Sequence, residues 1–301
     1  MNQVRESHEE VITRLLIDPG VVFLMGAIDT GKTSFGIELV DRALRRGISA
    51  AFIDSDIGQS TAGPPTTVGL KLCGGMEQVS KSTIAVADEL AFVGALTPRG
   101  HLLPLVAGTA KLVARARGDG CKLIVVDTTG FVSGIYGQLL KFAKMDLIAP
   151  DVVIAFSRGG ELEPVVGHAK RFTSAQVSEV GVDDGVAIRS IEERSSYREQ
   201  RFAAYFATGV SRWRVKPTVF MPALPPEFDL SLLDGIVVGM EDGKGTCAGI
   251  GLLEFRESEE ALRMVSPVTE GVSGLRLGSI RLELDGRFRG PINLRQLFST
   301  E

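Results

Sequence analysis

Cysteine is scarce in this 301-residue chain: Cys73, Cys121 and Cys247 are odd in number and scattered. That excludes a disulfide framework and points to a reducing compartment. Histidine is as rare. His8, His101 and His168 stand far apart without cysteines at zinc spacing, so they read as surface or satisfied core residues. Positive charge is not in excess. The net charge is −4, so no global field attracts a polyanion and any site for one must be local. No apolar run approaches the length of a bilayer span, and no internal repeat or low-complexity tract is present. Met1 to Leu16 carries Arg5, Glu9, Glu10 and Arg14 among its apolar residues, which is no secretory signal. A cytoplasmic protein is the expectation. The remainder, 44% apolar and 23% charged, is ordinary globular composition, long enough for one large domain and a small one.

The most informative segment is Gly26-Ala27-Ile28-Asp29-Thr30-Gly31-Lys32-Thr33-Ser34. It fits the phosphate-binding loop G-x-x-x-x-G-K-[ST], with an apolar strand, Val21 to Met25, before it and a helix, Ser34 to Arg46, after it. A glycine loop opening a helix aims backbone N–H groups at one spot. Gly26, Thr30, Gly31, Lys32, Thr33 and Ser34 are therefore expected to bind a nucleoside triphosphate. Lys32 would reach the β/γ-phosphates, and the Thr33 hydroxyl would join a Mg²⁺ shell. Asp29 is odd in this loop, because a carboxylate repels a triphosphate. It should turn away or pair with a cation such as Lys32 or an arginine.

Further short runs are apolar on both parities: Ala50 to Asp54, Cys121 to Asp127, Asp151 to Ser157 and Gly185 to Ile191. Strands covered on both faces look like this. Helical stretches lie between them near Leu105–Arg117 and Tyr136–Ile148, and another, His8 to Ile17, precedes the loop. This alternation predicts an α/β P-loop NTPase fold, a mostly parallel sheet with helices on both faces. Ser82–Ala87 and Leu90–Leu96 read as a hairpin turned at Asp88-Glu89. Pro217, Pro222, Pro225 and Pro226 then mark a connector. Beyond it Gly235–Met240, Cys247–Phe255 and Leu275–Leu284, with turns at Asp242-Gly243 and Asp285-Gly286, predict a small C-terminal β-rich domain. The expected division is 1–216 and 217–301.

Two acids end the second run in Asp54-Ser55-Asp56-Ile57-Gly58-Gln59, with Pro64-Pro65 soon after. At a strand's C-terminal end they face the ligand crevice. One can hold Mg²⁺ through water while the other takes a proton from an incoming hydroxyl. The third run ends Asp127-Thr128-Thr129-Gly130-Phe131, which puts an acid at a Walker B position. Arg194, Arg198 and Arg201 recur at i, i+4 and i+7 and share one helix face. From Arg194 to Lys216 six basic residues face one acid, Glu199, a local basic patch on an acidic chain.

Together Gly-x-x-Asp-x-Gly-Lys-Thr, Asp-x-Asp-x-Gly-Gln and Asp-Thr-Thr-Gly resemble the polynucleotide 5′-hydroxyl kinases. That family includes the kinase subunit of the pre-mRNA 3′-end cleavage factor, ribosomal-RNA-processing kinases and short archaeal and bacterial forms. The resemblance covers Val21 to Phe206 and extends through Gly235 to Gly239, Gly249 to Gly251 and Gly278 to Arg281. It implies ATP-dependent phosphorylation of RNA or DNA 5′-hydroxyl ends with Mg²⁺. Asp56 would be the base and Asp54 would assist at the metal, although the spacing alone lets the two trade roles. Gln59 would contact metal-bound water or the substrate end, and Thr128 and Gly130 would approach phosphate or the substrate backbone. Where the cleavage-factor branch usually has a tryptophan that clasps a terminal base, this chain has Phe131. A phenyl ring stacks more weakly. The resemblance also implies an arginine-bearing lid near 190–206, with Arg198 and Arg201 stabilising the transferring phosphoryl group and Arg194 beside them. About twenty residues precede the phosphate loop where eukaryotic members carry an extra β-domain, which implies a stand-alone enzyme.

Three rival functions have their own signatures. A GTPase needs an Asn/Thr-Lys-x-Asp element after a strand; Ala143-Lys144-Met145-Asp146 lacks the first residue and precedes its strand, so it reads as a helix end. A scaffold subunit would hold ATP without transferring it, against which stand Lys32, Thr33, Asp56 and the arginine helix. An ATPase with another acceptor would show a narrow pocket in place of an open groove.

Overall fold

The computed structural model describes residues 6–183 and 185–298. Arg5, one of the charges noted above, lies outside the described residues. Strands β1 (Val21–Gly26), β2 (Ala50–Ser55), β5 (Leu123–Thr128), β6 (Val152–Ser157) and β7 (Gln176–Gly181) form a parallel block in the order β2-β5-β1-β6-β7. Each apolar strand feeds both sides of the sheet. Phe23 and Met25 of β1 pack on one face against α3 (Leu102–Gly118), α4 (Gly134–Ile148) and α5 (Glu163–Phe172). Val22 and Leu24 pack on the other against α1 (His8–Ile17) and α2 (Lys32–Arg45). The apolar-on-both-parities pattern is the imprint of this two-sided cover. Helix α1 starts with a capping box, Ser7 accepting from the Glu10 N–H and Glu10 reaching back.

The sheet continues antiparallel beyond β2 through β3 (Thr67–Leu72) and β4 (Glu89–Phe92). This corrects the expected hairpin: β4 pairs back to β3, and residues 81–88 form turns. The reason is local. Ser80 and Thr83 bond each other's backbone N–H through their hydroxyls, and such bonds compete with a strand ladder. The strand expected at Gly185–Ile191 is also displaced. The last parallel strand is β7, and residues 185–190 lead irregularly into α6 (Ile191–Phe206), with Ile188 exposed. As an edge strand, β7 alternates half-buried and buried positions after an exposed Gln176, so it lacks the continuous apolar run of a central strand.

From Cys247↔Leu90 pairing onward, the later strands join the same sheet: β11 (Cys247–Arg256) lies against β4, then β10 (Ile236–Glu241), β13 (Gly274–Leu282) and β14 (Phe288–Pro291). Strands β12 (Ala261–Ser266) and β8 (Ser211–Arg214) continue from β11, while β9 (Phe220–Met221) pairs with β13. Helix α7 (Leu294–Phe298) follows. Phe202 and Phe206 of α6 are buried among Phe92, Ile250, Leu252 and Ile280, so the C-terminal strands clamp the arginine helix. The Asp285-Gly286 turn abuts it directly: a Cβ on Gly286 would lie 2.3 Å from the Glu199 carbonyl oxygen. No helix among the described residues is long and apolar enough to cross a membrane.

Candidate active site

A cleft of about 710 Å³ opens at the C-terminal ends of the parallel strands, where ligands of open α/β sheets bind. The phosphate loop supplies one wall. Gly31 sits at φ +84, a left-handed turn that suits glycine, and α2 starts at Lys32 immediately after it. The Lys32 ammonium is buried and donates to the Ala27 carbonyl at 2.6 Å and the Thr30 hydroxyl at 3.2 Å. Burial lowers its pKa, while Asp127, Asp56 and Asp29 pull it back up. Gly130 of the D-T-T-G segment presses on the loop from the side. A Cβ there would meet the Ile28 backbone nitrogen at 2.5 Å, so glycine lets the two segments touch.

Asp29 lines the cleft and is paired with cations. Its carboxylate accepts from the Arg189 backbone N–H (3.0 Å), the Arg189 guanidinium (3.0 and 3.1 Å) and Arg194 (3.2 Å). Burial works against its charge, yet the Arg189 N–H and both guanidinium groups outweigh that and hold the carboxyl below its usual range. The phosphate loop is thereby latched to the segment that enters α6. Replacing Asp29 by alanine is expected to raise amide exchange at Arg189 and the neighbouring 185–194 segment by at least tenfold. Unchanged exchange there would remove the latch. Arg189 faces the same cleft. Sequence reasoning passed over it because it precedes the i, i+4, i+7 row.

The acids separate into two levels. Asp56 lines the cleft, and its Oδ1 accepts from the Gly58 and Gln59 N–H groups at 3.1 and 3.0 Å. Asp54 is buried beneath, accepting from the backbone N–H groups of Asp56, Thr61 and Ala62. Both its oxygens are spent on holding the loop that presents Asp56, so it builds the site from below. Burial, with Asp127 and Asp56 nearby, pushes the Asp54 carboxyl up, while the Ala62 and Asp56 N–H groups hold it down. Asp127 is also buried; its Oδ2 accepts from the Thr33 hydroxyl at 2.5 Å, and its Oδ1 has no partner. A hydroxyl and an orphaned carboxylate oxygen at the mouth of a phosphate loop are the donor set that suits Mg²⁺.

Opposite the loop, α6 begins with a second capping box, Ser190 and Glu193. Arg198 lines the cleft half-buried, and no hydrogen bond or ion pair among the described residues engages it. Arg194 also lines it but is engaged by Asp29. Arg201, expected to act on phosphate, is directed elsewhere. Its guanidinium donates to the carbonyls of Thr61, Gly63 and Ala85 at 2.7–3.2 Å. One helical turn beyond Arg198, it anchors α6 to the acid loop. Gln59 makes a parallel tie, donating to the Arg194 carbonyl at 3.2 Å, and its buried Oε1 stays unpartnered. Phe131 lines the cleft half-buried. Thr128 reaches the wall, but its hydroxyl donates to the Leu24 carbonyl and accepts from Lys141. Ser34 lines the cleft, and Gly26 forms the root of the loop at the end of β1.

Beneath the acids lie two residues that sequence reasoning took for part of an ordinary helix. Lys141 and Lys144 of α4 are 0% exposed. Lys141 donates to the Thr128 hydroxyl and the Thr129 carbonyl at 2.6 Å each, and Lys144 donates to the Ser55 hydroxyl. The histidines are structural: His8 meets the Gly181 carbonyl, His101 meets Ser279, and His168 packs edge-on against Phe142 and Phe172. No cluster of metal-ligating residues of the His/Cys/Asp/Glu type is present among the described residues.

A glycine cradle with a buried lysine, a threonine paired to a strand-end acid and a parallel sheet below define a P-loop nucleotide-binding protein. A family model described as mRNA cleavage and polyadenylation factor CLP1 P-loop matches residues 26–208, more than half of the chain. The chain belongs to that family. It is 28% identical to a polyribonucleotide 5′-hydroxyl-kinase of Pyrococcus horikoshii, the match covering 91% of this chain and 89% of the relative. It is 27% identical to the Pyrococcus abyssi protein of that name, covering 93% and 92%. Among solved structures, the wild-type Clp1p–Pcf11p complex superposes with a TM-score of 0.69 at 13% identity, over 93% of this chain and 80% of the other. That likeness speaks for the fold.

Proposed function

We propose that this protein is an ATP-dependent polynucleotide 5′-hydroxyl kinase, transferring the γ-phosphate of ATP to the 5′ end of RNA or DNA. The observation that carries this reading is that one cleft joins the phosphate loop to Asp56 on one side and the unengaged Arg198 on the other. A nucleotide-binding scaffold has no need of a cleft-facing acid and a free arginine across the terminal phosphate. The membership of the family and the names of its archaeal relatives support the same reaction.

The loop N–H groups bind the triphosphate, and Lys32 exchanges its bond to the Ala27 carbonyl for a phosphate oxygen. Thr33 and Asp127 fit Mg²⁺, with Asp56 within the same acid group. An ion held there would supply positive charge to offset that of the triphosphate. Asp56 accepts the proton of the 5′-hydroxyl as its oxygen attacks the γ-phosphorus in line, the bond from that phosphorus to the β,γ-bridging oxygen breaks, and ADP leaves. Arg198 meets the charge that spreads over the equatorial oxygens. Phe131 stacks on the terminal base. Removing that ring, Phe131→Ala, is expected to weaken oligonucleotide binding by about 1–3 kcal/mol and to leave ATP affinity alone. Titrations of both ligands check it, and an equal loss of both would reject the stacking role.

Incubation with γ-labelled ATP, Mg²⁺ and 5′-hydroxyl RNA or DNA oligonucleotides tests the function, with Lys32→Ala as control. Label on the oligonucleotide supports the kinase. Bound ATP without transfer would make the protein a scaffold, and free phosphate alone an ATPase.

A further inference from the structure

We infer that Lys141 and Lys144 form a cationic floor under the active site, positioning the ends of β2 and β5 by standing, fully buried, beneath Asp54, Asp56 and Asp127. Burying an ammonium group is expensive unless a carboxylate or ligand compensates. Here the hydrogen-bond partners are two hydroxyls and a carbonyl, with no carboxylate among them. Apolar residues at these two positions of α4 would fill the space at lower cost. What offsets part of that burial is the field of the acids above. Asp56, Asp54 and Asp127 all act to keep Lys144 charged, against burial that lowers it to about 7. Burial, with Lys144 and Lys32 adding, lowers Lys141 well below its usual range, and Asp56 and Asp127 oppose this.

The hydrogen bonds reach the two strand ends separately. Lys144 holds Ser55, which lies between Asp54 and Asp56, and Ser55 is itself bonded to Thr109 of α3 at 2.8 Å. Lys141 holds Thr128 and Thr129, next to Asp127, and Thr128 is tied on to β1 through Leu24. One helix turn of α4 thus spans both acid-bearing ends. The consequence is an electrostatic exchange. Burial and mutual repulsion raise the Asp54 and Asp127 carboxyls, and Lys32 together with the floor lysines opposes this before any Mg²⁺ arrives. The paired ends of β2 and β5 are then held in place, so that metal binding at Thr33 and Asp127 would require little rearrangement.

This inference rests on the metal side of the proposed site, through Thr33, Asp56 and Asp127, and its test does not require phosphoryl transfer. Amide hydrogen exchange of residues 56–62 and 127–131 is measured in the full chain, without nucleotide, with and without millimolar MgCl₂. In the wild type, protection is expected to be the same in both conditions. In Lys144→Met, protection of 56–62 is expected to fall at least tenfold without Mg²⁺ and to be restored by it. Lys141→Met should behave likewise at 127–131. Lys144→Gln keeps a polar partner for Ser55 without the charge, and should match Lys144→Met. Protection lost irrespective of Mg²⁺, or retained in all three variants, would overturn the inference, as would Lys144→Gln behaving like wild type. If Lys144→Met fails to fold, Lys144→Gln and Lys141→Met carry the same comparison. If the floor holds while labelled oligonucleotide fails to form, the kinase reading falls and this one stands.

Discussion

Asp56→Asn should still bind ATP yet transfer phosphate about 10²–10⁴-fold more slowly. The substitution is mild in structure. Asparagine retains an oxygen for the Gly58 and Gln59 N–H groups that Oδ1 now accepts, so the loop keeps its shape. What disappears is the basic oxygen facing the cleft. Rapid-quench transfer of labelled phosphate, together with calorimetric ATP affinity, separates the two effects. Wild-type turnover would remove Asp56 as the base. Asp54→Asn has a different expected outcome, because Asp54 accepts three backbone N–H groups below the surface. An amide there turns an N–H against an N–H, and the damage should appear first as lost stability.

The second large effect is expected at Arg198. Removing a cation that meets charge developing on a transferring phosphoryl group costs about 10³–10⁵ in turnover. Arg198→Ala should lose activity in that range while ATP binding changes little. Arg201→Ala supplies the contrast from the same helix face. Its three carbonyl partners belong to the scaffold, so it should cost about 1–3 kcal/mol of stability with most of the turnover retained in the folded fraction. Thermal unfolding and single-turnover rates on both variants decide the assignment. A collapse of turnover in folded Arg201→Ala, equal to that of Arg198→Ala, would show that the two act as one unit.

The parts of this site that follow from local pattern were legible in the sequence. The phosphate loop, the strands feeding it and the helices His8–Ile17 and Gly134–Ile148 arise from contiguous signals, and their bounds lie within two residues of expectation. The geometry of the loops was less accessible. Helical spacing puts Arg194, Arg198 and Arg201 on one face, but it cannot tell which guanidinium meets a row of carbonyls and which meets the cleft. Asp29 was recognised as needing a cation; which cation it takes depends on how residues 185–190 fold back. Lys141 and Lys144 were hidden for a further reason. Lysine in a helix ordinarily marks the solvated side, and only the tertiary arrangement of three acids on two other strands makes burial there affordable. Both lysines lie on the apolar side of their helix, close to Leu140 and Met145.

The clamping of α6 by late strands has an outcome for biosynthesis. The phosphate loop and the acids Asp54, Asp56 and Asp127 all lie before residue 128 and are made first. The helix carrying Arg198, however, leans on Ile250, Leu252, Ile280 and the Gly286 turn. In order of synthesis, the packing that seats Arg198 at the cleft therefore comes after the phosphate loop it faces.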